Sequence, residues 1–98
     1  MLMRVEYRPA ARADLDAIAV YTKREWGSVK ARAYIGELRA LAASLSDYPQ
    51  RFPLYKSKLG PFRKAPCGEH LVFYIVTADK IQIVRVLHNR VDVDALLG

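Results

Sequence analysis

Apolar positions along this chain change period twice. Over residues 2–7 they alternate, with Met3, Val5 and Tyr7 on one side and Arg4 and Glu6 on the other, which predicts a short strand. From Pro9 to about Trp26 the period becomes helical, and Ala11, Leu15, Ile18, Thr22 and Trp26 form one buried stripe. Pro9 suits a first helical turn, where its missing N–H would have no partner, and Gly27 ends the helix. Ser28 is expected to cap a second helix running to about Ser46, with Ala31, Tyr34, Ile35, Leu38, Leu41, Ala42 and Leu45 facing the core. One glycine between two helices forces an antiparallel hairpin. Trp26 is expected to close that hairpin against the sheet as a core anchor.

The period then returns to strand. Residues 47–60 carry Pro49, Pro53 and Gly60 with no clean repeat and read as loop. Residues 62–67 read as a short strand, with Pro66 placing it at an edge or ending it. Residues 70–77 and 80–88 form a tight hairpin turning near Ala78-Asp79, and residues 92–97 allow one helical turn. The expected fold is α+β, in the order β-α-α-β-β-β. The helical hairpin packs on one face of a twisted, mostly antiparallel four-stranded sheet.

Strand parity adds a constraint. Leu71, Phe73 and Ile75 share a wholly apolar face and are expected to meet the helices, while His70, Val72, Tyr74 and Val76 share the other, half-apolar one. On the last strand Ile81, Ile83, Arg85 and Leu87 oppose Gln82, Val84, Val86 and His88. Both strands are apolar on both faces, yet helices cover only one, so the tail at Ala95-Leu96-Leu97 or another chain must cover the second. Each helix also carries a stripe of small residues: Ala10, Ala13, Ala17 and Val20 on the first, Val29, Ala33, Gly36, Ala40 and Ala43 on the second. Close packing of the two helices is the preferred reading, and a groove for a partner helix is the other, best placed on the first helix.

Composition narrows the class. At 98 residues and 52% hydrophobic, the chain suits one folded domain rather than disorder. It has no run approaching the roughly 18–20 apolar residues of a membrane span, and no secretory signal pattern, which predicts a cytoplasmic protein. The lone Cys67 forms no internal disulfide and agrees with a reducing compartment. A net charge of +6 favours polyanionic partners, and Arg51, Lys56, Lys58, Arg63 and Lys64 stand together with no acid between them.

Three segments resemble ParE toxins of the RelE/ParE superfamily. These are Pro9-Ala10-Ala11-Arg12-Ala13-Asp14-Leu15-Asp16-Ala17-Ile18 with Tyr21 and Trp26-Gly27, then Gly68-Glu69-His70-Leu71-Val72-Phe73-Tyr74, then Val84-Arg85-Val86-Leu87-His88-Asn89-Arg90. The resemblance implies the same fold and a type II toxin that poisons DNA gyrase. It also implies neutralisation in a hetero-oligomer with a ParD antitoxin. Such an antitoxin has a ribbon-helix-helix half, through which alone operator DNA is contacted, and an acidic tail that wraps the toxin. Arg8 stands where this family commonly has a Ser cap.

The superfamily's RelE branch instead cuts ribosome-bound messenger RNA, which needs a base, cations and an acid together. Arg63, Arg85 and Arg90 are candidates to hold phosphate and His88 to move a proton, but no second acid–base partner is evident and the C-terminal end is apolar and acidic. Arg63, His88 and Arg90 are therefore read as effector candidates, with no catalytic residue assigned. Ala10, Ala13, Ala17, Val20, Val72, Tyr74 and Arg85 are the candidates for antitoxin contact. Arg85, set among apolar neighbours, is also expected to pair with a carboxylate, Glu6 or Asp14. His70 is read as structural. Cys67 and His70 offer too few ligands for a metal, and no nucleophile triad or phosphate loop implies a cofactor. A third reading is an accessory module that has lost toxicity and only co-represses with its antitoxin.

Overall fold

The computed structural model describes residues 3–57 and 60–93. Leu2, Lys58 and the Asp94–Leu97 part of the expected tail lie outside them, as does the proposed covering role of Ala95-Leu96-Leu97. The elements run β1 (Arg4–Tyr7), α1 (Pro9–Trp26), α2 (Ser28–Ser44), β2 (Leu54–Ser57), β3 (Gly60–Cys67), β4 (His70–Val76) and β5 (Lys80–His88). The described strands form one sheet in the order β1-β5-β4-β3-β2, with β1 parallel to β5 and the other pairs antiparallel. The sheet has five strands rather than the four expected. The segment read as loop contains β2, which pairs with β3 from Leu54↔Arg63 to Ser57↔Gly60. Four residues beside two prolines are too short to show a period.

The helical hairpin turns on Gly27 alone. At φ 92° it accepts a backbone form that side chains disfavour; its N–H donates to Lys23 O and its C=O accepts from Ala31 N–H. Gly27, not Ser28, holds the cap position of α2. Arg8 caps α1 without a side-chain bond, because its groups serve the sheet: its N–H donates to Ile83 O, and Nη2 to Gln82 Oε1.

The helices and sheet enclose a core of Leu15, Ile18, Leu38, Leu45, Val72, Tyr74, Ile81, Ile83 and Val86. This reverses the expected facing of β4. Val72 and Tyr74 lie under the helices, and Leu71, Phe73 and Ile75 lie on the far face. Tyr74 is fully buried because its hydroxyl donates to Pro49 O at 2.9 Å, which removes the cost of burying a phenol. The far face is itself a core, with Phe62, Phe73, Val84 and Leu87 buried and Tyr55 and Val93 packed against them. Residues of this chain thus cover most of the surface that parity suggested a partner must cover.

A β-bulge interrupts the alternation of β5. The β4–β5 register steps from Tyr74↔Ile83 to Phe73↔Arg85, so Val84 is the extra residue. Ile81, Ile83 and Val86 consequently share the helix face, although regular alternation would put Val86 opposite the other two. β1 pairs with β5 only as far as Ile83, which leaves the bulged edge for α1 to cover. Asp14 of α1 accepts Arg85 Nε at 2.7 Å and Nη2 at 2.9 Å, and the Val86 N–H at 2.9 Å. This fork raises the Arg85 pKa still further through the hydrogen bonds to Asp14.

Replacing Asp14 by Ala is expected to cost about 2–3 kcal/mol, since it strands a largely buried guanidinium and a backbone N–H. Asp14→Asn should cost less, because an amide oxygen can still accept from Val86. Chemical denaturation checks both, and wild-type midpoints for both variants would contradict the role assigned to Asp14.

Candidate functional site

The bulge also decides what lies at the end of the sheet. It shifts the hairpin so that His70 pairs with His88, and both rings fall on the side of the helices. Their centroids are 5.4 Å apart in an edge contact. Tyr34 of α2 reaches the same point from above. Its hydroxyl accepts the Glu69 N–H at 3.2 Å and lies 2.5 Å from His70 Nδ1 and 3.3 Å from Cys67 O. All three contacts are satisfied together when His70 carries its proton on Nδ1 and Tyr34 donates to Cys67.

Gly68 makes this approach possible. It sits at φ 56°, and a Cβ there would lie 2.7 Å from the Tyr34 ring. His88 Nδ1 accepts the Arg90 N–H at 3.1 Å, so the neutral ring carries its proton on Nε2, 3.7 Å from Glu69 Oε2. Burial lowers the His70 pKa, with neighbouring His88 adding to the effect. Burial and the charge of Glu37 raise the Cys67 pKa, which keeps the thiol protonated and a poor nucleophile.

Tyr34, Gly68, Glu69, His70 and His88 floor a cleft of about 530 Å³ whose walls include Tyr21, Trp26, Lys30 and Glu37. Trp26 is therefore not the expected core anchor: it is 64% exposed, with Lys30 Nζ 5.1 Å over its ring. Burial fades along α1 from Ala11, Leu15 and Ile18 through half-buried Thr22, so the helix outruns the core before Trp26. The pairing of His70 with Tyr34 and His88 was not apparent in the sequence, where an unbulged hairpin sets His70 opposite Leu87.

The other candidates scatter. Arg63 Nη1 donates to Phe52 O at 2.7 Å, and the residue sits level with Tyr74 in the register. His70 is four residues further along β4, so Arg63 and His88 are offset by roughly 13 Å along the strand direction and lie two strands apart. Arg90 is exposed beyond β5. Arg85 is held by Asp14, one of the two partners expected for it. Val72 and Tyr74 are buried under the helices and present no surface to a partner, in contrast to the expectation for them.

Ala10, Ala13, Ala17 and Val20 are exposed along α1, as are Val29, Ala33, Gly36, Ala40 and Ala43 along α2. These small-residue stripes do not form the contact between the helices, which overturns the preferred reading of them. The helices instead bury the residues they lay on the sheet. They leave between them a groove of about 510 Å³ with Ala19, Ala31, Ile35 and Gly36 in its lining and Lys23, Arg32 and Arg39 as its charged groups.

Comparison with known proteins gives a consistent result. The family model described as "ParE toxin of type II toxin-antitoxin system, parDE" matches residues 5–93. Toxin ParE1 of Caulobacter vibrioides is 34% identical over 88 residues, covering 90% of this chain and 91% of the relative. Toxin ParE1 of Mycobacterium tuberculosis is 38% identical over 96 residues, covering 96% and 97%. Among solved structures, the chromosomal ParDE TA system from P. aeruginosa includes a chain of the same fold. It superposes with a TM-score of 0.76 at 21% identity over 89% of this chain and 96% of that one.

The His70 environment sets a pH dependence. With its folded pKa below the 6.5 of the free side chain, the unfolded chain takes up the proton first. The stability that neutral His70 contributes is complete above pH 6.5 and is lost as pH falls through the lowered folded value. Denaturation midpoints of the wild type should therefore drop from pH 7 to about pH 5. His70→Asn should flatten that slope; an unchanged slope would contradict it. Gly68→Ala, clashing with Tyr34, should be destabilised at every pH in the same measurement.

Proposed function

The chain belongs to the ParE toxin family of type II toxin–antitoxin systems, and on that premise we propose that it poisons DNA gyrase and is silenced by a ParD-like ribbon-helix-helix antitoxin. Operator DNA is then bound through the antitoxin, in a hetero-oligomer, and the site of action is the cytoplasm, where gyrase and its DNA are found. Among the described residues no helix is long and apolar enough to cross a membrane.

The observation that carries the antitoxin part of this reading is the outer surface of the helical hairpin. It exposes Ala10, Ala13, Ala17 and Val20, beside a groove of small and apolar residues ringed by Lys23, Arg32 and Arg39. Small side chains let a partner's backbone come close, and the cations suit an acidic amphipathic segment. Val72 and Tyr74 drop out of this surface, and Arg85 has its charge already matched by Asp14. His88, Arg90 and Arg63 remain the effector candidates. The ribosome-dependent nuclease reading needs acid, base and cations at one phosphate. The distance of Arg63 from His88, and the engagement of His88 Nδ1 by the Arg90 N–H, count against it.

Purified toxin is expected to reduce gyrase supercoiling or accumulate gyrase cleavage complexes, and to leave ribosome-bound message intact. Message cut while gyrase is untouched would overturn the proposal. Ala17→Glu or Val20→Glu should weaken binding of the antitoxin by about tenfold or more, with the melting temperature unchanged because both sites are exposed. Calorimetric titration measures the first effect. His88→Ala with Arg90→Ala should relieve growth arrest; toxicity surviving that double change would exclude this end as the effector surface.

A further inference from the structure

The cleft beside His70 carries a charge pattern opposite to that of the whole chain. The chain has a net charge of +6, yet the cleft sets two carboxylates, Glu37 and Glu69, against one cation, Lys30. Its aromatic walls are Tyr21 and Trp26, 60% and 64% exposed, above Tyr34 in the floor. Large aromatic surface left in water next to carboxylates is the arrangement that binds organic cations. Trp26 already accepts one, since Lys30 Nζ lies 5.1 Å over its ring. The carboxylates are felt at the floor: burial raises the Tyr34 pKa, the Glu69 N–H lowers it, and Cys67 and the Glu69 and Glu37 carboxylates add smaller increases.

We propose that this cleft receives an arginine side chain of a partner protein, with the guanidinium stacked on Trp26 in place of Lys30 and paired with Glu37 and Glu69. Arginine fits better than lysine, because its planar head both stacks on an indole and forks onto carboxylates, and it is the more weakly hydrated cation. A nucleic-acid phosphate is disfavoured here by the same two carboxylates. An acidic segment is better matched by Lys23, Arg32 and Arg39 in the groove between the helices, so the hairpin offers two docking sites of opposite sign. This inference goes beyond the toxin reading and does not depend on the target poisoned.

Trp26 is the only tryptophan of the chain, so its fluorescence reports on the site directly. The full chain would be titrated with an acetylated, amidated Ala-Leu-Arg-Leu-Ala peptide, and with versions carrying Gln or Glu in place of Arg. The expected result is a saturable emission change for the arginine peptide, weakened by salt and absent with the glutamate peptide. Glu37→Gln combined with Glu69→Gln should weaken binding about tenfold or more. Lys30→Ala should tighten it by removing the internal competitor. All three positions are exposed, and an unchanged melting temperature ties the loss to the site. Equal responses to the arginine and glutamate peptides, or no saturation by about 10 mM, would overturn the proposal. An emission change that follows protein concentration alone, with dimers in sedimentation, would overturn it in favour of a second copy of the chain. Neither gyrase nor antitoxin enters this titration, so its failure is separable from failure of the toxin reading.

Discussion

A single carboxylate sets how the helical hairpin sits on the sheet. Asp14 meets the sheet where β1 has ended and the bulge has opened the edge of β5, and it satisfies both the Arg85 guanidinium and the Val86 N–H. Without it, a largely buried cation and a strand edge would both lack partners under a helix. The ion pair is bidentate and mostly shielded from water, which gives it directional value that a surface pair lacks. Hydrophobic burial of Leu15, Ile18 and Leu38 holds the layers together but tolerates sliding; the Asp14 fork fixes the register between them.

That register has consequences at the far end of β5. The extra residue at the bulge carries His88 to the side of His70, beneath Tyr34, and so builds the floor of the cleft. The glycine at position 68 then admits the Tyr34 ring against the β3–β4 turn. The helix that outruns the core supplies Trp26 and Tyr21 as walls. A packing irregularity in the middle of the sheet thus shapes a surface several residues away. What results is a cleft lined by aromatic and charged side chains at the end of the hairpin.

The apolar far face of the sheet changes meaning in the fold. Read from parity alone it seems to demand a partner, but Phe62, Phe73, Val84 and Leu87 are buried, with Tyr55 and Val93 packed against them. The unpartnered surface lies instead on the outside of the hairpin, in small residues that carry little apolar area each. On the proposed reading, docking there would depend on close approach and charge rather than on hydrophobic burial. Of the candidates for partner contact, strand facing puts Val72 and Tyr74 inside the core, while Ala10, Ala13, Ala17 and Val20 lie on the surface.

By itself the sequence determined the element types and their order, because period and glycine placement are local properties: Ala11, Leu15 and Ile18 at helical spacing, Gly27 as the turn, the hairpin about Ala78-Asp79. It also carried the family, through three short segments in register. The short β2 strand escaped it, since four residues paired to a neighbour have no period of their own. Strand facing, the bulge at Val84, the exposure of Trp26 and the convergence of Tyr34, His70 and His88 were decided only in three dimensions. Each depends on which distant residue stands opposite, and one inserted residue reverses every side chain beyond it. The Asp14–Arg85 pair spans that boundary. Its chemistry was foreseeable from a cation among apolar neighbours, and its partner was chosen by the helix that happens to cross that edge.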